Sequence, residues 1–87
     1  MRFDVSGADF GDMAVSGNAE VLYELGLMYA TGRNGETDMI AAHKWLNIAA
    51  FRGCSAARTQ RDEIAGQMSK DEIRQAQREA RYWVTRH

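Results

Sequence analysis

The chain has 87 residues, of which 45% are hydrophobic and 26% charged, which is enough for one small globular domain and no more. A single cysteine, Cys54, excludes an internal disulfide and gives no sign of a stapled secreted scaffold, and with no proline in the chain the turns rest on glycine and asparagine. The net charge of −1 hides a polarity: residues 1–50 carry three bases against seven acids, and residues 51–87 carry eight bases against five. Such a division can guide a charged partner or promote head-to-tail association.

Alanine, leucine, methionine, glutamine and arginine outweigh the scattered β-branched residues, so helix is favoured over strand throughout. A short helix is expected over 8–16. Asn18 can cap a helix over 19–31 whose Val21, Leu25, Met28 and Tyr29 share one face. Gly32-Arg33-Asn34-Gly35 then marks a bend. Thr37 or Asp38 can cap the next helix, over 38–52, with Ala42, Trp45, Leu46, Ala49 and Ala50 facing inward and Gly53 as a left-handed stop. A third helix is expected from Ser55 to about Gln67. Ser69-Lys70-Asp71-Glu72 is a capping box, and the helix it opens repeats Ile73, Ala76, Ala80, Trp83 and Val84 on one side. No run is long and apolar enough for a signal peptide or a bilayer span, which makes a soluble cytoplasmic protein the expectation, with no membrane partner.

The segments 14–24 and 50–60 repeat each other at a spacing of 36: Ala14 with Ala50, Gly17 with Gly53, Val21 with Ala57, Met28 with Ile64. The second copy decays, since Arg61 and Asp62 stand where Leu25 and Gly26 stood, as expected of a terminal unit that turns one side to water. Val21, Leu25-Gly26, Tyr29, Gly32, Asp38, Ala42, Trp45, Ala49-Ala50 and Gly53 resemble, position by position, the unit of the Sel-one-like repeat family, a relative of the tetratricopeptide repeat. One departure lies in the loop: the family's second glycine comes two residues after the first, followed by valine, whereas here Gly35 comes three residues on and precedes Glu36.

The resemblance implies an all-α single domain over 1–87, built of stacked antiparallel helical hairpins with right-handed superhelical stacking. Residues 19–53 would form one full repeat, 8–17 and 54–66 partial repeats, and 69–87 a C-terminal capping helix. It also implies a non-catalytic adaptor that needs no cofactor and binds a protein or peptide through the concave face lined by first helices. Glu20, Tyr23, Glu24 and Leu27 form the stripe of that helix opposite its packing face, and so are the expected partner-binding residues. An alternative is that Phe3 or Phe10 covers Tyr23 and Leu27.

Chemistry-bearing patterns are sparse. The Gly32–Gly35 stretch lacks the preceding strand and the Gly-Lys-Ser/Thr ending of a phosphate loop, and Glu36 and Asp38 would repel an anion. His43, Cys54 and His87 have no metal-ligand spacing, so no metal is expected. His43 is expected half-exposed at the edge of the Trp45 face, and Cys54 is expected to be a small linker residue. The pairs Asp62-Glu63 and Asp71-Glu72 are adjacent in sequence and point to different sides of their helices, which argues for solvation. Two further readings remain: self-association into a homo-oligomer through the opposite charge poles, or a nucleic-acid footprint on Arg74, Arg78 and Arg81 beside Tyr82. The pI near 6.1 weighs against nucleic acid.

Overall fold

The computed structural model describes residues 19–33 and 35–86. Among them are four helices and no strand: α1 (Ala19–Thr31), α2 (Met39–Phe51), α3 (Ser55–Ala65) and α4 (Lys70–Arg86). The helix expected over 8–16, the Asn18 cap, the repeat positions Ala14 and Gly17, and Asn34 of the bend lie outside the described residues.

The helix ends follow from local chemistry. Asp38 adopts an extended conformation (φ −139°), and its carboxylate accepts a hydrogen bond from the Ala41 amide at 3.0 Å, which opens α2. At the other end Gly53 takes φ +105°, its amide donates to the Ala50 carbonyl at 3.0 Å, and the Cys54 amide donates to the Ala49 carbonyl at 3.0 Å. That pair of bonds is a Schellman cap, and the half-buried Cys54 supplies its apolar contact by packing against the core. The capping box of α4 is complete: the Ser69 hydroxyl accepts from the Glu72 amide at 3.1 Å, while the Glu72 carboxylate accepts from the Ser69 amide at 2.9 Å.

The bend between α1 and α2 is a backbone turn. The Gly35 amide donates to the Gly32 carbonyl at 2.9 Å, and Gly32 takes φ +74° with the Thr37 hydroxyl 3.0 Å from where a Cβ would stand. The Asp38 amide donates to the Tyr29 carbonyl at 2.9 Å. Three residues back along α1, Gly26 lies against Ala42 and Leu46, further along α2. The register therefore runs in opposite directions, and α1 and α2 form an antiparallel pair.

The pair closes tightly at Gly26. A Cβ there would stand 2.6 Å from Leu46 Cγ and 3.3 Å from the Ala42 carbonyl oxygen, so only glycine lets the two backbones approach this far. Leu22, Leu25, Ala42, Leu46 and Ala49 fill the seam and are essentially solvent-free. On another side of α2, Trp45 meets Trp83 of α4 edge to face, with ring centroids 5.3 Å apart and planes at 75°. α3 also packs on α2, and Arg61 donates from Nη1 to Asn47 Oδ1 at 2.9 Å. α2 is thus the hub on which α1, α3 and α4 all rest.

Several positions differ from the sequence expectation. Leu22, rather than Val21, is the fully buried residue of the first turn of α1, and Val21 is half-buried. Ala50 is half-buried, whereas Ile48, outside the expected face, is 1% exposed because α2 is covered on more than one side. His43 is not at a half-exposed edge; it is 3% exposed, for the same reason. Arg61 does not simply face water, because its guanidinium reaches back to α2.

Candidate interaction surfaces

On α1, Leu22, Leu25, Gly26 and Tyr29 turn inward, so helical geometry turns Glu20, Glu24 and Leu27 outward with Tyr23 at the flank. Glu20 and Glu24 are exposed, and Tyr23 and Leu27 are half-buried. Tyr23 packs against the core, so part of its ring serves stability as well as surface. Glu24 pairs at 3.8 Å with Arg33 across open solvent, a contact worth little. Phe3 and Phe10, the expected alternative cover, lie outside the described residues.

Arg74, Arg78 and Arg81 do share one exposed stripe of α4. The structure ties Arg74 to Asp71 by an ion pair, which reduces the positive charge the stripe can offer. Arg86 lies over the exposed ring of Tyr82, 4.4 Å from its centroid.

A second surface was not singled out by the sequence. Between α2 and α4 lies an open cleft of about 410 Å³ with Ile48, Phe51, Ala80 and Val84 on its apolar side. Asn47, Gln77 and Arg81 supply its polar edge. Phe51 is 76% exposed, the most exposed large apolar side chain among the described residues. The signal was present: Phe51 falls one turn after Ile48 and off the stripe of Ala42, Trp45 and Ala49, so α2 carries two apolar faces.

The titratable groups inside the fold have structural causes. Burial pushes the His43 imidazole below its ordinary pKa, and the nearby Arg61 charge adds to this while Asp62 partly opposes it. His43 Nδ1 has no hydrogen-bond partner among the described residues. Burial also lowers Lys44, against the pull of Glu79 and Asp38, and its ammonium stands 4.6 Å from the Trp45 ring centroid. Among the described residues no group of three or more His, Cys, Asp or Glu is placed to hold a metal ion, and no helix is long and apolar enough to cross a membrane. Cys54 stands half-buried at the start of α3, its thiol making no capping hydrogen bond.

Among the described residues the fold is therefore all-helical, and its candidate sites are exposed faces and open clefts. No family model, no curated protein and no solved structure matches the chain.

Proposed function

We propose that the chain is a non-catalytic protein-interaction module of the Sel-one-like, tetratricopeptide-related kind, working in the cytoplasm without a cofactor. In this reading α1 and α2 are its one full hairpin repeat, α3 opens a degraded following unit, and α4 caps the stack. The close approach of α1 and α2 at Gly26 supports this reading, as does the burial of Leu25 and Trp45. The partner is a protein or peptide held on the outward face of α1.

The observation that carries the functional reading is that face itself: exposed Glu20 and Glu24 beside half-buried Tyr23 and Leu27, opposite the side packed on α2. Apolar anchors flanked by charges are the usual form of a binding hot spot. Because Tyr23 also packs on the core, replacing it would confuse binding with stability. Affinity capture from the native lysate is better controlled with the double variant Glu20→Lys/Glu24→Lys. The partner should be lost while the thermal midpoint is unchanged; undiminished capture would remove α1 as the site.

A further inference from the structure

The chemistry of the cleft between α2 and α4 restricts what can dock there. Its apolar side is Ile48, Phe51, Ala80 and Val84, and among the described residues no carboxylate lines it. Its one charge is Arg81, whose exposed side chain makes no ion pair among the described residues. An uncompensated guanidinium beside an exposed phenyl ring fits an acidic helix that also carries apolar side chains.

This same chain presents such a helix. The outward face of α1 alternates Glu20 and Glu24 with Tyr23 and Leu27, and it lies on a different side of α2 from the cleft. The charge division of the whole sequence, acids in excess before residue 51 and bases after it, points the same way. We infer that the cleft receives the α1 face of a second copy of this chain, Glu24 of one copy meeting Arg81 of the next while Leu27 packs on Phe51. This rests on the proposed use of the α1 face and names a partner for it.

The two surfaces share no residue, so the contact is head-to-tail. Each copy that docks offers a fresh cleft and a fresh α1, and assembly continues rather than ending at a two-fold dimer. Screening must weaken it, because the steering pair is exposed.

Sedimentation of the full chain tests this in about 0.01 M and about 1 M salt, between which the screening length falls from about 30 to about 3 Å. At low salt the average mass should climb with concentration without levelling at two chains, and at high salt it should return to one chain. Arg81→Glu alone and Glu24→Arg alone should each be monomeric, with thermal midpoints close to wild type because both side chains are exposed. Phe51→Ser, a third variant confined to the cleft, should be monomeric as well.

The deciding measurement mixes Phe51→Ser with Glu24→Arg. Phe51→Ser keeps an intact α1 face and Glu24→Arg keeps an intact cleft, while the other pairing sets an arginine against Arg81, so an equimolar mixture should form a species of two chains and stop there. A mixture that stays monomeric, a wild type that stays monomeric at low salt, or one that levels at two chains overturns the inference. If the wild type is monomeric yet captures a foreign partner through Glu20 and Glu24, the proposed function survives and only the self-docking falls.

Discussion

Replacing Gly26 by alanine sets two effects of opposite sign against each other, and the structure decides between them. In an isolated helix the change would help by about 1 kcal/mol, because glycine is the poorer helix former. Here the new Cβ would stand 2.6 Å from Leu46 Cγ and 2.8 Å from Leu46 Cδ2, where ordinary contact begins at 3.4 Å. Leu46 would have to yield by about 0.8 Å, and with its side chain fully buried it has no solvent to swing into. Overpacking of this kind costs about 1–3 kcal/mol. The net expectation is a loss of about 1 kcal/mol, seen as a fall of about 4–8 °C in the midpoint followed by circular dichroism. Truncating the obstacle should shrink the loss: in a Leu46→Ala background, itself weaker by about 2–5 kcal/mol, Gly26→Ala should cost less than in wild type, because only the 3.3 Å approach to the Ala42 carbonyl oxygen remains. A Gly26→Ala protein that melts higher than wild type would show that α1 and α2 do not approach this closely.

The other expectations concern a buried ring, a buried base and a helix cap. Trp45→Ala removes the edge-to-face partner of Trp83 and should cost about 3–5 kcal/mol, a large part of the total for a domain this size; urea unfolding with Trp83 fluorescence as the probe measures it. His43 has a folded-state pKa below its unfolded value of about 6.5, so its stabilising contribution is present above that pH and is lost as pH falls through the folded pKa. The thermal midpoint should therefore drop as pH falls below about 6.5, and His43→Leu should flatten that part of the profile; an unchanged slope would absolve the imidazole. Ser69→Ala opens the capping box and should cost about 1 kcal/mol in denaturant unfolding, with hydrogen exchange rising first in the opening turn of α4.

Helix positions and ends could be read in the sequence because they depend on neighbours within four residues. Asp38, Gly53 and the Ser69–Glu72 pair each announce a terminus through side-chain or backbone chemistry that needs no tertiary context. Inward faces were readable where the apolar pattern is one-sided, as in α4, whose Ala76, Ala80 and Trp83 are the buried residues. In α2 the pattern is apolar nearly all round, and the stripe of Ala42, Trp45, Leu46, Ala49 and Ala50 is only one part of it. Ile48 and His43 fell off that stripe and yet are buried, because a helix packed on several sides has no single inward face. Phe51 lies off that stripe too, but is exposed. Its exposure depends on where α4 ends up, and no spacing within 38–52 encodes that. The choice of Leu22 over Val21 was likewise set by the rotation of α1 about its axis, which the contact of Gly26 with Leu46 fixes.

The placement of α2 beneath α1, α3 and α4 governs how the described part of the molecule comes apart. In a linear array each unit touches only its neighbours, so the ends can melt while the middle persists. Here α1, α3 and α4 all lean on one thirteen-residue segment, and none of them retains its main support once that segment loosens. Melting should be all-or-none, and the amides of 43–49 should exchange with solvent only through complete opening of the domain.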